Sequence, residues 1–179
     1  MNRGYLWFLS IFLILGSFDS TRAASRRVFS SGPEVQTART IAGDLEYTLT
    51  ANRGAPAERI QLSKGFFERE EEGGPFRVQI IPDDPVLVVQ SQAKKTAFIT
   101  LWKSYGGTGN WEMLKEIQLS PGKPHEISSF PELKEDRASI KRLEIEGDTL
   151  VAQLLYHGKD DALCCPTQKQ QLRYPLKAR

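Results

Sequence analysis

From Leu45 onward the chain is divided into short β-branched and aromatic runs by clusters of Gly, Pro, Asn and Asp. That punctuation predicts an all-β or β-dominated fold, a single antiparallel sheet or sandwich-like domain built of hairpins, with little helix. Strands are expected at Leu45 to Thr50, Arg59 to Ser63, Phe66 to Arg69, Phe76 to Ile81 and Val86 to Val89. Others are expected at Ala97 to Lys103, Trp111 to Leu119, Ile140 to Ile145, Leu150 to His157 and Gln170 to Leu176. Lys64-Gly65, Gly106 to Asn110 and Glu146-Gly147-Asp148 carry turn chemistry between neighbouring runs. Val151 to Tyr156 is almost continuously apolar, as in a strand covered on both faces, and with Ile140 to Ile145 it makes the clearest hairpin. In the last strand Leu172, Tyr174 and Leu176 alternate with Arg173 and Pro175, and the proline assigns it to a sheet edge. Ser129 to Asp136 holds at most one helical turn, with Ser129 as its cap.

The first residues are of a different kind. Arg3 precedes an apolar run from Leu6 to Phe18, and small residues follow at Thr21 to Ala24. This is the pattern of a secretory signal peptide over residues 1–23. The run of about 13 residues is shorter than the roughly 20 that a membrane-spanning helix needs. A periplasmic or extracellular protein is expected, with no stable membrane span after cleavage. No cysteine sits near the cleavage point to accept a lipid anchor. Residues 24–42 are polar and rich in small side chains, and are expected to form a flexible leader. Residues 43–179 then make one β-rich domain. Loss of Arg3, Arg22 and Asp19 with the signal peptide lowers the formal charge of +2 by one. No global field remains to steer nucleic acid.

The only two cysteines are adjacent, Cys164 and Cys165, inside the segment His157 to Thr167 with Asp161 before them and Pro166 after them. Adjacent cysteines close no useful loop and so do not clamp distant parts of a secreted chain. They bond to each other only if the backbone turns, because neighbouring side chains of a strand point to opposite faces. Their Cα atoms, about 3.8 Å apart, are closer than the usual disulfide span. Such a bridge is strained, either a labile switch or a rigid turn. A soft-metal site drawing on His157, Asp160, Asp161 and the two thiolates is a second reading, but the spacing matches no zinc pattern and no metal is assigned. A third reading is structural, with the cysteines as small apolar groups beside a turn at Gly158 to Asp161.

Other features carry less chemistry. Trp102, Tyr105 and Trp111 flank the glycine-rich turn and offer a binding platform, with core or rim packing as the plainer reading. Glu68 to Glu72 is read as a solvated hairpin end, since it lacks the alternation of a calcium loop. His125 is read as a surface loop residue. No nucleophile elbow is present, so no catalytic residue and no cofactor are assigned, and whether the chain is an enzyme stays open.

Asp136-Arg-Ala-Ser-Ile140, Leu143-Glu-Ile145, His157-Gly158, Asp161-Ala-Leu-Cys-Cys-Pro-Thr167 and Tyr174-Pro-Leu176 together resemble a group of uncharacterised exported bacterial proteins. That group has a C-terminal D-x-x-C-C-P-[ST] segment and is similar to LppP/LprE-type lipoproteins. Leu62-Ser-Lys-Gly65 and Ala97 to Leu101 leading to Gly106 to Gly109 follow the same order of elements. The resemblance implies export and a compact β-rich domain. Gln90 to Thr96 replaces the acidic loop of that group, and the acylated cysteine is missing, so neither a calcium role nor a lipid anchor is carried over. The expected role is non-catalytic, binding an envelope protein or glycan or serving as a structural module. The alternative is a vicinal-dithiol protein responding to oxidant or soft metal through Cys164 and Cys165.

Overall fold

The computed structural model describes residues 26–49, 57–91, 94–107, 109–130, 133, 137–162 and 165–176. Among these, twelve strands and one helix are found, and every strand pairing is antiparallel. The β-dominated, sandwich-like fold expected from the punctuated runs is what forms.

The longest strand, β7 (Lys94–Tyr105), organises the central sheet. One edge pairs with β8 (Asn110–Ser120), which pairs in turn with β9 (His125–Ser129). The other edge is shared by two strands. β6 (Val86–Ser91) pairs from Lys94 to Ile99, and β5 (Gly74–Gln79) pairs from Trp102 to Tyr105. The chain between β5 and β6 contains Pro82 and Pro85, which have no ladder donor, so pairing stops at Ile99 and resumes at Trp102. β1 (Arg26–Phe29) extends the sheet beyond β6, and β4 (Phe66–Glu71) extends it beyond β5.

Both faces of this sheet are covered. On the first lie Val86, Val88, Ala97, Ile99, Leu101, Met113 and Ile117, beneath the helix α1 (Pro33–Ala42) and the hairpin of β2 (Glu46–Leu49) with β3 (Glu58–Gln61). On the second lie Leu87, Val89, Phe98 and Leu114, against a meander of β10 (Ser139–Glu146), β11 (Thr149–Tyr156) and β12 (Gln168–Pro175). Successive residues of β6 therefore enter opposite cores, which is why Val86 to Val89 carries no polar residue. The expected hairpin of β10 with β11 forms around Gly147 (φ 57°). β12 lies at the sheet edge, with Pro175 opposite Thr149. Lys64 and Gly65, both at positive φ, make a two-residue turn closed by two hydrogen bonds between Ser63 and Phe66 (2.9 and 3.1 Å).

The flexible leader expected over residues 24–42 is corrected by β1 and α1. Pro33 begins the helix, and Val35, Ala38 and Ala42 recur on one face and are buried in the first core. Two of these three are alanines, so the stripe is weak as a hydrophobic signal, yet small side chains let the helix lie close to the sheet. Glu34 in the first turn pairs with Lys95 of β7, and Arg39 donates to the carbonyls of Ile81 (2.9 Å) and Asp84. His125 is exposed as expected, but it opens β9 rather than lying in a loop. The turn expected over Ser129 to Asp136 lies largely outside the described residues, although Phe130 and Leu133 pack into the second core.

Candidate functional site

The cysteine motif occupies the connection from Tyr156 at the end of β11 to Gln168 at the start of β12. Asp161 organises this connection. Its Oδ2 accepts the amides of Gly158 (2.8 Å) and Thr167 (2.7 Å), and its Oδ1 accepts the Thr167 hydroxyl (2.7 Å). These donors hold the Asp161 carboxyl below its ordinary range, the Gly158 amide contributing most and the charge of His157 least. One half-buried side chain thus ties both ends of the loop together. Cys165 is exposed, and its amide donates to the carbonyl of Ala162 (2.9 Å), the spacing of a β-turn. Cys164 lies outside the described residues. Pro166 and His157 are half-buried, and His157 acts on Asp161 only through its charge. Among the described residues, no group of three His, Cys, Asp or Glu side chains is gathered as a metal site.

The three aromatic candidates are not brought together. Tyr105 and Trp111 meet edge to face (centroids 5.9 Å apart), and Tyr105 also packs on Phe76 (4.9 Å). Trp102 is opposite Glu112 and Gln79 in register, three residues from Tyr105 along β7, so strand alternation sends it to the other face of the sheet. The platform is therefore a pair, with only Tyr105 among its members appreciably exposed. The acidic run does end a hairpin, and Glu68, Arg69 and Glu71 within it are ion-paired. Glu68 meets Arg77, while Arg69 meets Glu58 of β3 and Glu71 and lies over the ring of Phe76 (4.9 Å).

A groove of about 630 Å³ separates the two sheets along one side. One wall holds Val28, Ser30 and Pro85 to Leu87, and the other is the six-residue run Lys141 to Glu146 of β10. Consecutive strand residues alternate faces, so a wall made of six in a row is the strand's edge. β1 and β10 are both edge strands of their sheets. Arg26 closes one end, donating to the carbonyl of Gly147 (2.7 Å) and the carboxylate of Asp148 (3.2 Å). Along the rim, Arg142 pairs with Glu144 and Glu146 with Arg173.

Two buried charged positions, Glu112 and Lys115, were not legible because they sit at alternate places in an ordinary amphipathic strand. Glu112, 5% exposed on β8, accepts the amide of Ile140 (2.6 Å) and so joins the central sheet to β10. Burial raises its pKa to about 7 and nearby Asp84 adds to this, outweighing the Ile140 hydrogen bond and the Lys141 charge that oppose it. On the other face, Lys115 of β8 is 1% exposed and pairs with Glu126 of β9 (3.0 Å). Lys115 also donates to the carbonyl of Thr48, and Glu126 accepts the Thr48 amide (2.7 Å). Two side chains thereby replace a neighbouring strand for β2. Burial, then the charge of Glu126, raises the pKa of Tyr47, whose hydroxyl donates to the Ala42 carbonyl (2.9 Å). In comparisons with known proteins, the chain matches no family model, no curated protein and no solved structure.

Proposed function

We propose that this is an exported, non-catalytic envelope protein that binds an extended protein segment in the groove between β1, β6 and β10. The observation that supports this reading is the six-residue edge of β10 along the groove. A strand edge offers main-chain donors and acceptors to an added strand, and pockets beside it select alternate side chains. Val28 and Ile145 supply apolar contacts, and the ion pairing of Arg142, Glu144 and Glu146 suits a segment of alternating apolar and uncharged polar residues. The binding partner is thus an envelope protein in extended form rather than a glycan.

A displayed library of random short peptides tests this against the mature chain. Enriched peptides are expected to alternate apolar and polar residues, and Val28→Asp is expected to weaken them at least tenfold with the melting temperature unchanged. No enrichment, or peptides indifferent to Val28→Asp, would sink the proposal. Binding to purified cell-wall glycan strands alone would replace the protein ligand by a glycan.

A second reading, that Cys164 and Cys165 interconvert between dithiol and vicinal disulfide, is favoured by the exposed turn at Cys165 and the closure of its loop by Asp161. Intact mass before and after alkylation, with and without reductant, tests it. A mass lower by two hydrogens and alkylation only after reduction support the bridge; two thiols alkylated at once after exposure to oxidant count against it.

A further inference from the structure

We propose that Asp84 and Glu112 form a proton-operated clasp at one end of the groove between β1, β6 and β10, an inference that rests on that groove being the binding site. Arg26 closes the groove at Gly147, just past the last residue of β10. At the other end each carboxyl is tied to one wall. Asp84 immediately precedes Pro85, where the first wall begins. Glu112 accepts the amide of Ile140 (2.6 Å), the residue before Lys141 and the second wall. Thr100 lies beside Glu112: its register partner is Leu114 and that of Trp102 is Glu112, so the two share a sheet face as diagonal neighbours. Thr100 is 0% exposed. Neither its hydroxyl nor Oδ2 of Asp84, which is also shut away from solvent, has a hydrogen-bond partner among the described residues.

Burial is the largest cause holding both carboxyls toward the protonated form; Asp83 adds to it at Asp84, and Asp84 adds to it at Glu112, whose pKa reaches about 7. Lys141, set at a register shift of β10, favours the charged form of each, as do the Ile140 amide at Glu112 and Arg39 of α1 at Asp84. Burial outweighs them. A protonated carboxyl is neutral and is also a donor, for which a buried hydroxyl is an acceptor. An ionised pair instead holds two like charges away from water, and parting the start of β10 from β8 hydrates them. Protons taken from solvent therefore stabilise the closed walls. Their effect is fully present below about pH 4.5 and is lost as pH rises to about 7. Closure keeps the edge of β10 in order, so an extended segment is bound at mildly acid pH and released at alkaline pH.

Amide hydrogen exchange of the mature protein, corrected for intrinsic rates, is read at pH 5 and pH 8. The Ile140 amide is expected to lose protection at least tenfold over this range. The Leu62 amide, bonded to the Leu45 carbonyl (3.1 Å) at the first core, is expected to hold within twofold. Glu112→Gln keeps an acceptor for Ile140 but does not titrate, and its loss at Ile140 is expected to be less than threefold. Asp84→Asn, which removes the neighbouring charge alone, is expected to fall between the two. One peptide enriched from the displayed library, free of ionisable side chains and blocked at both ends, is titrated alongside. Its dissociation constant is expected to rise at least fivefold from pH 5 to pH 8 with the wild type and less than twofold with Glu112→Gln. Equal losses at Ile140 and Leu62 would mean that pH acts on the whole fold, and they overturn the clasp. Protection of Ile140 or a peptide affinity that ignores pH overturns it too, while the binding reading stands on the peptide. A library that yields no peptide overturns the binding reading and its regulation together. Should Glu112→Gln fail to fold, an Asp84→Asn response at Ile140 as large as that of the wild type overturns the clasp.

Discussion

Two places in this molecule use a charged side chain to do the work of a neighbouring strand, and they differ in burial. Around Thr48, the Lys115–Glu126 pair satisfies a backbone amide and carbonyl inside the protein, with Lys115 1% exposed and Glu126 12% exposed. Around Thr167, Asp161 satisfies two amides and a hydroxyl in an exposed loop. Water competes for the second set and not for the first. The buried clamp is therefore coupled to the whole fold, because removing one partner strands a charge away from solvent. The Asp161 latch is local, since any group it releases in the exposed loop is hydrated at once.

The largest contrast is expected from Lys115→Met, which leaves Glu126 and the Thr48 carbonyl without their cation. A loss of about 3–5 kcal/mol is expected in urea denaturation. Lys115→Met combined with Glu126→Leu should recover part of that loss. A double variant no better than the single would show that the backbone of β2, rather than the stranded charge, dominates.

Glu112 gives the next effect, and its sign follows from its raised pKa. The folded protein holds this proton more tightly than the unfolded chain does, so its contribution is fully present below about pH 4.5 and is lost as pH rises to about 7. The raised value corresponds to at most about 3 kcal/mol. Glu112→Gln keeps an acceptor for the Ile140 amide and should be the more stable protein at pH 8, with the difference vanishing near pH 4. Denaturation midpoints of the two proteins across this range check it, and a gap independent of pH would assign the effect to packing.

Gly106→Ala is expected to cost about 1–3 kcal/mol. Gly106 has φ 81°, and an added Cβ would lie 3.0 Å from the Cα of Gly74, also at positive φ. Backbone meets backbone there, so neither side can rotate away. A thermal melt indistinguishable from wild type would show that the β7–β8 turn relaxes instead.

The smallest global effect is assigned to Asp161→Ala. Its urea midpoint should match the wild type while the Thr167 amide loses protection from hydrogen exchange. A cooperative loss of stability in this variant would place the latch in the same class as the buried clamp and erase the comparison.

The legibility of these features follows the same division. Strands such as Val86 to Val89 and Leu150 to Tyr156 were readable because β-branched and aromatic residues in short punctuated runs are a local signal. β9 was not, since His125-Glu-Ile-Ser-Ser129 is mostly polar, with Glu126 half-buried against Lys115. β1 and α1 were hidden in a small-residue segment where Ala38 and Ala42 bury little apolar area of their own. Asp161, Cys165 and Pro166 were singled out from the motif, but the latch through Thr167 and Gly158 required coordinates. Trp102 is near Tyr105 and Trp111 in sequence, and strand alternation together with the register to Glu112 separates it from them.

By itself the sequence determined an antiparallel β architecture, its principal turns and an adjacent cysteine pair in a polar connection, because strand period, turn residues and covalent order are local properties. Tertiary structure decided that the central sheet is covered on both faces and that β5 and β6 share one edge of β7. It also decided that Lys115 and Glu112 are buried and that Asp161 closes the cysteine loop. These depend on which surfaces meet across long separations in the chain, and the free energy of a charged side chain is set by that environment rather than by its neighbours in sequence.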